Sequence, residues 1–151
     1  MSSLNALQLD SNSKLKINFD GGDLSSDSGL LLIKEFAHKF GFHKQVKQLF
    51  NTRDKAIRFH KDDENLLQLV YQIIAGYFDD DADELTNEPV FTNILGKDSL
   101  ASQPTLSRFW NRMDDTTLKQ FTAIIKSLKA AAYQFDPTKQ VLLDLDCNGI
   151  I

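Results

Sequence analysis

The sequence predicts a mainly α-helical protein: a compact helical bundle with a β-strand at each end. Three observations point there. Apolar residues recur at helical spacing over residues 63–78 and again over 116–135. Residues 14–20 (KLKINFD) alternate, with Leu15, Ile17 and Phe19 on one side, as a half-buried strand does. Residues 140–146 (QVLLDLD) read as a buried strand that delivers two carboxylates, Asp144 and Asp146, at its C-terminal end.

Taken in order, residues 1–14 are polar and expected to be loose. After the first strand, Gly21-Gly22 breaks the chain. Ser25, Ser26 and Asp27 offer N-caps for a helix over 28–40, with Leu32, Ile33, Phe36 and Phe40 as its apolar set and Gly41 as its stop. A short basic helix over 43–50 follows, then a basic loop over 51–60. The helix over 63–78 presents Leu66, Val70, Ile73 and Tyr77, flanked by Leu67, Leu69 and Ile74. Asp62 or Asp63 caps it, and Glu64 complements the positive end of its dipole. The acidic stretch 79–84 lacks the glycine and distal glutamate of a calcium loop and reads as a solvated connection. Helices are predicted over 88–95, closed by Gly96, over 105–113 and over 116–135. The last carries a seam of Leu118, Phe121, Ile125, Leu128, Ala132 and Phe135, and Asp136-Pro137 ends it.

At 151 residues, with 42% hydrophobic and 25% charged residues, the chain has the composition of a folded domain. The longest apolar-rich run, around 66–78, contains Gln68 and Gln72 and is too short to cross a bilayer. The N-terminus lacks the basic start and apolar core of a signal peptide, which predicts a cytoplasmic protein without membrane attachment. The single cysteine, Cys147, excludes an internal disulfide and a cysteine zinc cage, and no base stands near it in sequence. His38 and His43 lack metal-ligand companions and read as surface residues near a helix end. The net charge of −4 conceals segregation. Residues 34–61 hold eight Lys/Arg against two acids; 62–88 hold nine acids and no base; 97–129 hold six bases against three acids. Solvated helix faces are one explanation. The other is a basic surface for phosphates beside an acidic one for a partner.

The segment 100–112, LASQPTLSRFWNR, carries the most specific chemistry. Ser102 can cap, and Pro104 sits near the first turn, where its missing N–H costs little. Leu106, Phe109, Trp110 and Met113 fall on one side of the helix; Thr105, Arg108, Asn111 and Arg112 share the other. That second face holds donors for phosphates and base edges. Preceded by the helix over 88–95 and a Gly96 turn, it has the outline of a helix-turn-helix. An ordinary amphipathic helix with a solvated basic face is the plainer alternative. Asp144 and Asp146 point the same way along a strand, as side chains alternate with period two. Such a pair supplies part of a Mg²⁺ site.

Four blocks make the chain resemble the N-terminal portion of the group 1 DDE-domain transposases of bacterial insertion sequences. They are residues 27–32 (DSGLLL), 71–84 (YQIIAGYFDDDADE), 100–112 (LASQPTLSRFWNR) and 141–146 (VLLDLD). The resemblance implies cut-and-paste DNA transposition by a ribonuclease-H-like α/β domain, in which two Asp and one Glu hold two Mg²⁺ ions. By position Asp146 is the first of these acids and a metal ligand, with Asp144 as its neighbour. The sequence then departs from the family pattern: Cys147-Asn148 replaces the expected small residue and threonine, and the second Asp and the Glu have no counterpart.

The resulting expectation is a truncated transposase, catalytically incomplete. Residues 1–14 form a flexible N-terminus, 15–136 a helical DNA-binding region, and 137–151 the start of an incomplete catalytic domain. Thr105, Arg108, Asn111 and Arg112 would contact transposon inverted-repeat DNA, and Lys44, Lys47, Arg53, Lys55 and Arg58 would add salt-dependent affinity. A helical interaction protein that modulates full-length transposase is the competing role. The final strand also resembles the first motif of haloacid-dehalogenase-type phosphatases, with Asp144 as nucleophile, although Cys147-Asn148 fits that motif poorly.

Overall fold

A computed structural model describes residues 7–17, 27–54, 56–135 and 137. A short antiparallel hairpin, β1 (Leu7–Leu9) and β2 (Asn12–Ile17), precedes six helices. These are α1 (Leu30–Lys39), α2 (Phe42–Leu49), α3 (Asp62–Ala75), α4 (Pro89–Leu95), α5 (Gln103–Trp110) and α6 (Asp115–Phe135), with a 3-10 turn at Asp80–Asp83. The strand expected over 140–146 lies outside the described residues, and with it Asp144 and Asp146.

The central element is α3. It packs against α1, α2, α4 and α5 because apolar residues surround most of its circumference. Leu66, Leu67 and Leu69 join Val46, Phe50, Leu106, Phe109 and Ile124 in one core beneath α2, α5 and α6. Tyr71 joins Leu30, Leu85, Phe91, Ile94 and Leu100 in a second core against α1 and α4. One buried polar residue of α3 has clear structural work. Gln68 donates to the carbonyl of Ala101 at 2.9 Å and accepts from its N–H at 2.8 Å, so one amide satisfies both backbone groups just before α5.

Two glycine stops, Gly41 and Gly96, fall where the sequence puts them; Gly76 is a third, inside the span predicted as helix. Gly41, Gly76 and Gly96 all have positive φ, and Gly41 both ends α1 and leads into α2. Gly76 ends α3 at Ala75, with Gly76 N–H bonded to Ile73 and Tyr77 N–H to Gln72, so Tyr77 and Phe78 lie beyond the helix predicted to contain them.

Other expectations are corrected. The stretch expected to be loose contains β1 and the start of β2, and Leu9 is fully buried. The hairpin is tied to α1 where Ser11 N–H donates to the Glu35 carboxylate at 3.0 Å. That bond leads the influences holding the Glu35 carboxyl below its ordinary value. The apolar face expected for α1 is outward: Leu32, Ile33 and Phe36 are exposed, whereas Leu30 and Ala37 are buried. Small Ala37 lets neighbouring elements approach, and Lys34 on the same side reaches the Asn93 carbonyl on α4. The α6 seam is likewise rotated. Thr117 and Ile124 are buried and Phe121 and Leu128 partly so, a narrow stripe at helical spacing that suits packing against α2. Leu118 and Ile125, one residue on and so about 100° around the helix, face outward.

The acidic stretch is an ordered 3-10 turn rather than a merely solvated connection. It buries Ala82, Asp81 accepts from Phe78 N–H, and Asp83 accepts from Gln103 N–H at the start of α5. Helix α5 packs on this turn and on α3, while α4 packs on α1 and α3; α3 is thus the common neighbour of the two helices of the expected helix-turn-helix.

Candidate functional site

Helix α5 ends at Trp110, not Met113, because Asp114 starts the next helix: its carboxylate accepts from the N–H groups of Thr116 and Thr117 at 2.8 and 3.1 Å. Thr105 and Arg108 therefore stand on the helix, Asn111 is its exposed C-cap, and Arg112 lies in the turn that follows.

Arg112 is engaged internally. Its Nη2 donates to Asp62 Oδ1 at 2.7 Å, its Nη1 donates to the Arg108 carbonyl at 2.9 Å, and its guanidinium lies 5.7 Å from the Phe109 ring centre. The second Asp62 oxygen accepts from Thr52 Oγ1 at 2.5 Å and Thr52 N–H at 3.2 Å. Burial alone would raise the Asp62 carboxyl, but hydrogen bonds from Thr52 and Arg112 outweigh it and hold the group below its ordinary value. One aspartate on the first turn of α3 thus ties the 51–61 loop to the end of α5.

The loop closes over the same region. Arg58 is ion-paired with Asp54 and donates to the carbonyls of Asp54 and Ala56, while Asp54 accepts from Ala56 N–H. Lys97 binds Glu64 at 2.5 Å and His60 Nδ1 at 3.0 Å. An ammonium only donates, so this contact calls for an unprotonated Nδ1 on His60. Burial first, and Lys97 second, lower the His60 pKa, against the opposing pull of Glu64.

Between loop and helix runs an open cleft of about 550 Å³. Asp54, Arg58, Phe59 and His60 form one wall; Thr105, Arg108 and Arg112 form the other. Residues some fifty positions apart in sequence, Arg58 and Arg108, share it. Of the three arginines, Arg58 and Arg112 are committed to aspartates. Arg108 is exposed, and its guanidinium donates only a 3.3 Å bond to Thr105 Oγ1 among the described residues.

The other expected contacts are dispersed. Lys44 and Lys47 are exposed on α2 and do not line the cleft. Arg53 bridges to α6 through Asp114 at 3.0 Å and Thr116 at 2.7 Å. Lys55, Asp144 and Asp146 lie outside the described residues. His43 is not the surface residue it was expected to be. It is half-buried, its Nε2 lies 2.7 Å from the Tyr71 hydroxyl, and burial lowers its pKa while pushing Tyr71 up to about 12.

Phe59, His60, Lys97 and the anchoring roles of Asp62 and Gln68 did not emerge from the sequence. An aromatic set among basic residues, RFHK at 58–61, was the available signal for the first two. Among the described residues no group of three or more His, Cys, Asp or Glu is placed to hold a metal ion, and no helix is long and apolar enough to cross a membrane.

A family model described as "Transposase DDE domain group 1" matches residues 7–149. Searches of curated proteins and of solved structures returned no match.

Proposed function

The chain belongs to the group 1 DDE-domain transposases, and from that premise we propose that its helical region binds transposon-end DNA through the cleft between the 51–61 loop and α5. The observation that carries this reading is the convergence of Arg58, Thr105, Arg108 and Arg112, from two distant segments, on one open cleft. Arg108 is the residue with donors to spare, and a guanidinium matches phosphate oxygens or the guanine edge. Helix α5 acts as the recognition helix of a helix-turn-helix-like element, its N-terminus fixed by Gln68 and Asp83. Arg112 and Arg58 hold the two walls in place, and Asn111, Lys44, Lys47, Arg53 and Lys55 extend the basic surface toward inverted-repeat DNA.

The family is Mg²⁺-dependent. Asp146, with Asp144 beside it, is the proposed first acid of the catalytic set, and their oxygen donors suit that hard cation. When bound, the metal supplies activation of the attacking oxygen and stabilisation of the leaving one.

Fluorescence anisotropy with duplex from the element's own ends tests the DNA reading. Binding should weaken with salt, and Arg108→Ala should lower affinity and reduce the salt slope by about one. Salt-insensitive binding, or an Arg108→Ala variant equal to the parent, refutes the assignment.

A second reading, a helical module that pairs with another transposase copy, is favoured by an exposed aromatic cluster. Phe36 and Phe135 are 62% and 81% exposed, with the Phe40 ring tilted against Phe36 at 4.5 Å and edge-on to Phe135 at 5.9 Å. Sedimentation of the parent and a Phe36→Ser variant tests it: an unchanged monomer in both would sink it.

A further inference from the structure

We propose that the cleft holds one unstacked nucleotide of a DNA strand, with Phe59 as its stacking platform and Ile57 as a wedge against the neighbouring base pair. The inference rests on the DNA-binding reading above and names the form of DNA that the site prefers.

Two large apolar side chains on this loop have no place in either core. Ile57 is fully exposed and Phe59 is 80% exposed. Both stand beside charged groups that hold the loop in shape. Arg58, between them, is pinned to Asp54, and His60 is pinned by Lys97. The Phe59 ring lies edge-on to His60 at 4.8 Å, with the Lys97 ammonium 5.9 Å from its centre. An aromatic that lines a cleft while mostly exposed offers surface to another flat ring.

The chemistry across the cleft is complementary to a nucleotide. Arg108, on α5, lines the same cleft as Phe59 with most of its donors unused, as a phosphate contact requires. A volume of about 550 Å³ lies in the range of small-ligand pockets. Stacking on an aromatic tolerates any base, since each has a π-face, and apolar side chains inserted at a base step unstack it. Unstacking costs least where a base is already unpaired. The site should therefore favour DNA with an unpaired base over a perfect duplex.

Anisotropy and 2-aminopurine fluorescence with the full chain test this. The probes are a fully paired duplex and the same duplex carrying one unpaired 2-aminopurine at its centre. The bulged duplex should bind more tightly, with its emission quenched on binding. Phe59→Ala should remove the quench and weaken bulged-duplex binding roughly 5- to 100-fold, by more than any loss on the paired duplex, so that the preference for the bulge disappears. Phe59→Tyr should retain both signals, and Ile57→Ala should lose part of the preference. If the parent binds both duplexes equally, or if Phe59→Ala keeps the preference and the quench, the inference fails. The DNA-binding reading survives that result provided that binding remains salt-dependent and weakened by Arg108→Ala. Absence of binding to either duplex overturns both.

Discussion

Replacing Gln68 with leucine should destabilise the protein by about 2–6 kcal/mol. Gln68 and Ala101 are 2% and 0% exposed, and the glutamine amide pairs with both the N–H and the carbonyl of Ala101. Neither backbone group has another hydrogen-bond partner among the described residues. Leucine nearly matches glutamine in volume, so no large cavity forms and the loss reports the hydrogen bonds. Each buried backbone group left unpaired costs about 1–3 kcal/mol, and two are left. Set against a typical domain stability of about 5–15 kcal/mol, the variant should stay folded but show a clearly lowered urea midpoint by circular dichroism. Ala101 directly precedes Ser102, the N-cap of α5, so the same variant should also bind DNA more weakly. A change below about 0.5 kcal/mol, the range of ordinary surface substitutions, would refute the view that this amide anchors α5.

Two further outcomes are expected. Burial first of all lowers the pKa of His43 and of His60, so both hold fewer protons when folded than when unfolded. Their contribution to stability is complete above the unfolded value near 6.5 and is lost as pH falls through the lower folded values; thermal melts from pH 7 to pH 5 should decline, less steeply in His43→Gln and His60→Gln, and parallel curves would refute the assignment. Arginine contacts need no metal, whereas chemistry by this family does, so chelating Mg²⁺ with EDTA should leave duplex binding unchanged.

Helix existence was legible in the sequence because its signals are short-ranged. Apolar periodicity marked α1, α3, α5 and α6, the shorter α2 and α4 were also expected, and Gly41 and Gly96 marked stops that only a residue tolerant of positive φ fills well. The LASQPTLSRF block and the Asp-x-Asp strand end marked the family before any fold was visible. Which side of each helix faces inward was not legible where apolar residues outnumber the neighbours available to cover them. Helix α1 turned Leu30 and Ala37 inward and left Leu32, Ile33 and Phe36 outside; α6 buried a stripe through Thr117 and Ile124 instead of Leu118 and Ile125.

The site divides the same way. Sequence alone identified the donor-rich α5 segment and the basic loop, because residue type sets what a side chain can donate. Their meeting in one cleft was decided by tertiary structure, through Asp62, which accepts from Thr52 on one side and from Arg112 on the other. That single carboxylate also decides which arginine is available: it occupies Arg112, Asp54 occupies Arg58, and Arg108 is left facing the cleft with donors to spare. Partner choice among like charges depends on distances set by packing between segments far apart in the chain, and a linear pattern does not encode those distances.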